Sequence, residues 1–302
     1  MVSIRVLRAL SPSDLDAVRR FLDAAHALDC AQLNDHLRAD LEQGPRAGFI
    51  AALASGADHE LLGYAQASAG NEGFVVDAIV WSSFDGDSDV VRASLLQELL
   101  AQLPPDAAVT WWTHDGVDAA DLAASLDMQP GRTLLQMRRP LPIEHHSDVG
   151  VRAFRVGIDE QAWLEVNNAA FAWHGEQGGW DLATLQQRQR ESWFRADGFL
   201  LHERDGRLAA FCWTKLHHPS TAGGPLVGEI YVIAVHPDFH GLGLGRALTV
   251  AGLAALHAAG ATEGMLYVDA SNTSAVRLYD HLGFEVAHTD QAYVRPPGGN
   301  HT

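Results

Sequence analysis

Cysteine is scarce in this chain. Of 302 residues only Cys30 and Cys212 are cysteines, far apart and in no Cys-x-x-Cys pair. That excludes a disulfide-built scaffold and fits a reducing compartment. Basic charge is scarce too: 21 Lys and Arg stand against 38 Asp and Glu, a net charge of −17. Duplex nucleic acid and anionic membrane surfaces call for a basic face, so neither is expected as a partner. No run approaches the roughly 20 apolar residues of a membrane span, and the opening MVSIRVLRAL lacks the apolar core of a secretion signal. A cytoplasmic protein is the expectation. Metal-ligand spacing is missing as well. The 16 histidines make no His-Glu-x-x-His and no Cys/His cluster, and His145-His146 and His217-His218 fall in segments that read as loops, so no metal is expected.

What is present is a repeat. Val76–Phe84 resembles Glu229–Pro237, with Ile79 set against Val235, and Leu126–Met128 resembles Leu282–Phe284; each of these two landmarks gives an offset of 156 positions. A constant offset at two landmarks predicts one domain written twice. The apolar content of 47 % is enough for two cores of ordinary size. The segment Arg138–Gly150 (RRPLPIEHHSDVG) has two prolines, two histidines and no apolar period, which is linker chemistry. The predicted domains are 1–140 and 150–302. Two halves that cover each other predict a monomer.

The second half reads in order. It opens on a strand over Val151–Phe154, followed by helical spacing over Asp159–Phe171 and Leu182–Trp193. Strands over Phe199–Glu203 and Leu208–Leu216 are joined by Asp205-Gly206, a strong hairpin signal. Another strand covers Glu229–Val235. After a glycine-rich loop, Leu244, Leu248, Ala251 and Ala255 mark one face of a helix that runs to about Ala259. Then come a strand at Leu266–Asp269 and a helix over Ser274–Leu282 that stops at Gly283. Two closing strands cover Phe284–His288 and Ala292–Arg295. The predicted class is mixed α/β with a largely antiparallel sheet.

The loop His240-Gly241-Leu242-Gly243-Leu244-Gly245-Arg246 sits between a strand and a helix. Glycines let successive N–H groups converge, and the helix start adds the positive end of its dipole. Together they suit a pyrophosphate, although glycines before a helix are more often structural turns. There is no GxxxxGK[ST], so this is no P-loop. A dinucleotide fold would carry its fingerprint in a first βαβ unit, whereas this loop comes late, after a hairpin.

In combination the signals are more specific. Glu229-Ile-Tyr-Val-Ile-Ala-Val-His-Pro237 precedes the loop, and Asn272-Thr-Ser-Ala-Val-Arg-Leu-Tyr279-Asp-His-Leu-Gly-Phe284 follows it. This pattern resembles the GNAT superfamily of acetyl-CoA-dependent N-acyltransferases, with His240 where the superfamily has Gln or Arg. A narrower resemblance lies in Val166-Asn-Asn-Ala-Ala-Phe171, Glu176-Gln-Gly-Gly-Trp180, Phe211-Cys-Trp-Thr-Lys215 and Leu135-Gln-Met-Arg-Arg-Pro-Leu141. These strings and the tandem layout are similar to the mycothiol synthase family of actinobacteria. That family acetylates the cysteinyl amine of cysteinyl-glucosaminyl-inositol.

The resemblance implies two tandem GNAT acyltransferase domains, acetyl-CoA as co-substrate and direct acetyl transfer. It implies Glu229 as the base that frees the amine, acting through water, and Tyr279 as the acid for the CoA thiolate. Backbone N–H groups at Ile233, Ala234 and Val235 would hold the thioester carbonyl. The 240–246 loop and the segment Asn272, Thr273, Ser274, Ala275, Val276 and Arg277 would contact CoA. Asp35, Glu176, Lys215, Glu229 and Tyr267 would hold the acceptor. Blander readings stand beside these: Glu229 as a local strand carboxylate, Tyr279 as aromatic packing, Arg277 as a surface charge, Lys215 in a buried pair with Glu, and Trp173 and Trp180 as core rather than pocket walls. In the first half the equivalent loop reads Phe84-Asp-Gly-Asp-Ser-Asp-Val90, whose aspartates would repel a pyrophosphate. That half is expected to be a degenerate copy that shapes the acceptor pocket. Two other functions compete: acetylation of a different small amine, and a non-catalytic acetyl-CoA sensor.

Overall fold

The protein is described by a computed structural model. It covers residues 2–29, 33–43, 47–58, 60–70, 73–81, 88–113, 119–172, 177–217 and 224–297. Contacts divide the chain into two compact units. One comprises Met1–Arg132 and Asp290–Thr302, the other Thr133–Thr289.

The first unit is built on β1 (Ser3–Leu7), β2 (Ile50–Ser55), β3 (Leu61–Gly70), β4 (Gly73–Val80) and β5 (Val109–Thr113), paired in that order. All neighbours are antiparallel except β4 and β5. Residues 291–295 of the last strand, β12 (Glu285–Arg295), pair antiparallel with β5. Among the described residues the sheet is accompanied by helices α1 (Pro12–Asp29), α2 (Asp35–Gln43), α3 (Ser88–Leu100) and α4 (Ala120–Ser125). Strand residues alternate between two cores. Ala52, Ala54, Ala65 and Ala67 pack on Leu95, Leu96 and Leu99 of α3. Ala51, Leu53 and Tyr64 face Val18, Phe21 and Leu22 of α1 and Leu37 of α2.

The second unit runs β6 (Gln129–Pro140), β7 (Arg152–Ala153), α5 (Glu160–Ala170), α6 (Leu182–Gln189), β8 (Phe199–Arg204), β9 (Arg207–His217), β10 (Val227–Val235), α7 (Leu244–Ala258), β11 (Glu263–Asp269) and α8 (Thr273–His281) before β12. The sheet order is β6-β11-β10-β9-β8-β7, with only β10 and β11 parallel. The mixed, mostly antiparallel class is as the sequence indicates. Asp205 (φ 53°) and Gly206 (φ 75°) both take the left-handed conformation that a two-residue type I′ hairpin demands.

Again there is a core on each face. Ile230, Cys212 and Ala210 pack on Leu248 and Leu253 of α7 and Tyr279 of α8. Trp213, Phe211 and Val232 pack on Trp163 of α5 and Leu185 of α6. At the start of α5, Asp159 accepts hydrogen bonds from Arg152 at 2.7 and 2.9 Å and from Arg155 at 2.9 Å. Burial alone would raise its pKa. The bonds from Arg155 and Arg152 overcome that and hold the carboxyl well below the usual range.

The repeat is visible in the elements. Moving 156 positions carries Ser88, the start of α3, onto Leu244, the start of α7, and carries β5 onto the body of β11. It also carries Asp127 (φ 56°) onto Gly283 (φ 80°), each just past a short helix. In both places the next N–H closes the helix: Met128 donates to Ala123 O at 2.9 Å, Phe284 to Tyr279 O at 3.0 Å.

Three expectations differ in detail. The two closing strands are one, β12; residues 289–291 between them belong to the strand, and Gln291 pairs with Thr113. Arg138, Arg139 and Pro140, read as the start of a linker, complete β6, because Glu263, Gly264 and Met265 of β11 pair with them. His217, read as loop, is the last residue of β9, paired with Val227.

Candidate active site

The site begins where a ladder ends. β10 pairs in parallel with β11 only from Val227↔Glu263 to Ile230↔Leu266. Its antiparallel pairing with β9 continues to Val235↔Ala210. Past Ile230, then, β10 keeps one partner while β11 continues beside β6 to Asp269. The β11-facing edge of Ile233, Ala234 and Val235 therefore has no ladder partner among the described pairs. A bulge falls between Ile230 and Val232. Bulges bend a strand and re-aim its side chains, and they recur beside active sites.

Glu229 lies one residue before the parting. It is 6 % exposed. Its Oε2 is 2.7 Å from Nε2 of His217 and 4.0 Å from Nζ of Lys215. Register explains both contacts. Lys215 stands directly opposite Glu229, and His217 lies two residues further along the same face. The Lys215 ammonium also sits 5.2 Å from the Trp193 ring centre and 5.6 Å from that of Tyr231. Such rings favour a cation over their faces. The same face continues into β11 and β6, with Met265 and then Arg138 in the row of Glu229. Tyr267, 42 % exposed, stands opposite Gln136, whose Nε2 donates to the tyrosine oxygen at 2.6 Å. Arg138 Nε donates to Gln136 Oε1 at 2.8 Å, and its guanidinium is 3.3 Å from Glu263. Gln136, Arg138 and His217 join this polar row, though the sequence offered none of them as a site residue.

Tyr279 is on the other face. It is buried in the core beneath α7 and α8, in edge contact with Phe284. Burial, with a smaller contribution from Cys212, raises its hydroxyl pKa, so it stays protonated at any ordinary pH.

The loop after β10 leads to α7. His240 is exposed, and its Nε2 lies 3.0 Å from the carbonyl of Val235, which ties the loop back to the strand. Gly241 (φ 77°) and Gly243 (φ 73°) are left-handed, and a Cβ at either would meet no atom within 4 Å. Backbone conformation, not crowding, demands glycine there. Gly243 caps α7 without a side-chain acceptor, and the helix's first turn holds no acid. Leu242 and Arg246 are exposed and Leu244 is buried. Open N–H groups at a helix start, next to exposed backbone, suit a phosphate. In the later segment Asn272 caps α8, accepting from Ala275 N at 3.2 Å and from Ser274 Oγ at 3.0 Å. Thr273, Ser274 and Arg277 are exposed, Ala275 and Val276 half-buried.

Trp180 is core: it is buried and packs edge-on against Trp163. The paired asparagines explain one of the sequence strings. Asn168 brackets Trp180 with two hydrogen bonds, and Asn167 Nδ2 donates to Gln177 O at 2.7 Å. Trp173 and Glu176, the side chain of Asp35, Cys30, and the Phe84–Asp87 part of the first-half loop lie outside the described residues. Among the described residues no group of three or more His, Cys, Asp or Glu is placed to hold a metal, and no helix is long and apolar enough to cross a membrane.

This arrangement has relatives. Residues 161–284 match the acetyltransferase (GNAT) family. Mycothiol acetyltransferase of Parafrankia sp. is 38 % identical over 325 residues, covering 99 % of this chain and 100 % of that one. The mycothiol acetyltransferase of Thermobispora bispora is 40 % identical over 301 residues, covering 97 % and 100 %. Among solved structures, a GCN5-related N-acetyltransferase from Sphaerobacter thermophilus gives a TM-score of 0.69 at 22 % identity, covering 98 % of this chain and 97 % of that one. A tandem GNAT protein from the clavulanic acid biosynthesis pathway gives 0.68 at 15 % identity, covering 99 % and 100 %. The structural likenesses show the fold, two GNAT domains in tandem. With end-to-end matches at 38 and 40 % identity, the chain belongs to the mycothiol acetyltransferase family.

Proposed function

We propose that the second unit acetylates the cysteinyl amine of 1-D-myo-inositol 2-(L-cysteinylamino)-2-deoxy-glucopyranoside, forming mycothiol. GNAT acetyltransferases take the acetyl group from acetyl-CoA, and direct transfer needs no enzyme nucleophile. The buried Cys212, whose thiol burial pushes up to about 12, is unsuited to be one. The observation that carries the reading is the placement of Glu229. A buried carboxylate sits beside the parting of β10 and β11, on the strand that leads into the left-handed glycine loop.

In this reading the loop N–H groups and the start of α7 hold the pyrophosphate. The arm of CoA runs past α8 toward the parting. N–H groups on the β11-facing edge of residues 233–235 stabilise the negative charge that develops on the thioester oxygen. The acceptor arrives as an ammonium, drawn to Glu229. Glu229 takes its proton through water, leaving a neutral amine. The amine nitrogen then bonds to the acetyl carbon, the carbon–sulfur bond breaks and the thiolate takes a proton from Tyr279, while the proton that nitrogen sheds on becoming an amide passes through water to restore Tyr279. Lys215, Tyr267 and Glu176 would hydrogen-bond the hydroxyls of the sugar and inositol.

The first unit is proposed not to hold acetyl-CoA. The first turn of α3 carries Asp89, where the first turn of α7 carries no acid. Asp89 is paired with Arg92 at 2.9 Å and already occupies the positive end of the helix. We place the enzyme in the cytoplasm, as a monomer.

The test is a mass-spectrometric assay with acetyl-CoA and cysteinyl-glucosaminyl-inositol. Wild type should form the acetylated product. Glu229→Gln should lose it, by roughly 100-fold or more in kcat, while still binding acetyl-CoA. Full activity in Glu229→Gln would remove Glu229 as the base. Absence of product from wild type, with acetyl-CoA bound, would move the acceptor to another amine.

A further inference from the structure

We infer that His217 is a positioning residue for Glu229, and that its protonation sets the acid side of the enzyme's pH dependence. The inference rests on the reading of Glu229 as the base. The contact is short and directed: Nε2 of His217 lies 2.7 Å from Oε2 of Glu229. An ionised carboxylate has only acceptors, so Nε2 carries the hydrogen and donates. The two side chains differ in access to water. The Glu229 side chain is 8 % exposed and that of His217 is 34 % exposed. His217 is thus the inner carboxylate's neighbour toward solvent.

Geometry gives His217 a task that Lys215 cannot share. Lys215 Nζ is 4.0 Å from the carboxylate, beyond hydrogen-bond length, and leans on the rings of Trp193 and Tyr231. It supplies charge without fixing direction. His217 supplies direction: with Oε2 engaged by the imidazole, Oε1 is left to the water and the amine. In the two rows that hold His217 and Glu229, the other charged groups among the described residues, besides Lys215, are Glu263, in the row of His217 and Val227, and Arg138, in the row of Glu229. Those two meet each other at 3.3 Å. The acids of α5 have partners of their own: Glu160 accepts from Gly157 N and Gln189 Nε2, and Glu165 from Gln161.

The sign follows from the contact. A neutral imidazole donating Nε2–H orients the carboxylate and leaves it able to take a proton. An imidazolium at the same distance holds the carboxylate as an anion and makes it a weaker base. Imidazole is the side chain suited to switch between these states near neutrality. Protonation of His217 should therefore slow the chemical step.

The experiment compares wild type, His217→Ala and His217→Gln, reading kcat, both KM values and the pH profile of kcat/KM with one acceptor throughout. Titration of the acceptor amine is then common to all three. His217→Ala should lower kcat on the order of 10-fold, the cost of one hydrogen bond to a charged group, with KM for acetyl-CoA unmoved. His217→Gln restores an N–H donor that cannot titrate. It should recover most of the lost kcat, and its acid limb should be shallower and displaced to lower pH. A profile for His217→Gln that superimposes on that of wild type overturns the inference, as does wild-type kcat in His217→Ala. Glu229→Gln run alongside separates the two readings. If it is inactive while His217→Gln matches wild type, the base stands and only the role of His217 falls.

Discussion

Gly243 offers the sharpest separation of fold from function. It has φ 73°, and a Cβ built on it meets nothing within 4 Å. Gly243→Ala therefore adds no clash, and its cost to folding is the left-handed conformation alone, about 1–2 kcal/mol. At roughly 2–4 °C per kcal/mol for a domain of 150–250 residues, Tm should fall by about 2–8 °C. Binding should suffer out of proportion. The new methyl projects into the open space where a pyrophosphate would approach the N–H groups of the loop. Losing one charge-assisted hydrogen bond costs about 1.5–3 kcal/mol, so Kd for acetyl-CoA should rise roughly 10- to 100-fold.

Gly252→Ala is the control. Its Cβ would lie 2.5 Å from Sγ of Cys212, fixed in β9 beneath α7. That overpacking should cost about 1–3 kcal/mol of stability and leave Kd near that of wild type. The assay is calorimetric titration with acetyl-CoA beside thermal unfolding of both variants. The same titration counts sites, with one per chain expected. Wild-type affinity in Gly243→Ala would refute the loop as the pyrophosphate cradle, and two sites per chain would refute the silence of the first unit.

Two further outcomes follow from the interior. The Asp159 carboxyl is held below its usual pKa by Arg155 and Arg152, so its contribution to stability is present above the unfolded value near 4 and is lost as pH falls toward the folded one. Asp159→Asn should cost about 1–3 kcal/mol at pH 7 by urea unfolding, and the gap to wild type should narrow below pH 4; a gap independent of pH would contradict the clamp. Cys212, buried with its thiol pushed up to about 12, should stay unalkylated by iodoacetamide at pH 8 in the folded protein and react once urea is added. Peptide mapping by mass spectrometry reads this directly, and labelling of the native protein would show that the α7 core opens.

Local signals were the legible ones. Asp205-Gly206, the glycine loop and the α7 stripe each depend on neighbours within a few positions, and the backbone follows them. The repeat was legible because its landmarks keep one offset, down to the left-handed Asp127 and Gly283. Contacts between distant strands were not legible. His217 looks like a loop residue beside His218, and only pairing with Val227 extends β9 to reach it. Gln136 and Tyr267 are 131 positions apart and meet because β6 turns to β11. Arg138 and Arg139 look like linker charges until the same pairing is known. Trp180 was ambiguous by type, and its burial edge-on against Trp163 decides for core.

The two residues proposed for proton transfer stand on opposite faces of the sheet, Glu229 with Lys215 and Tyr231, Tyr279 with Cys212 under α7. A hydrogen-bonded sheet is a closed wall, so direct transfer between an amine on one face and a thioester reached from the other needs a breach. The breach is available only where a ladder stops, and it stops after Ile230 and Leu266. The first unit repeats the device: β4 pairs with β5 only from Phe74↔Val109 to Val76↔Trp111 but with β3 as far as Val80. Since both units part their strands alike, the parting cannot be what distinguishes a catalytic unit from a silent one. In the proposed reading the difference lies where the repeats diverge, at the start of the following helix. There α7 offers a left-handed glycine and bare N–H groups, and α3 offers its own aspartate.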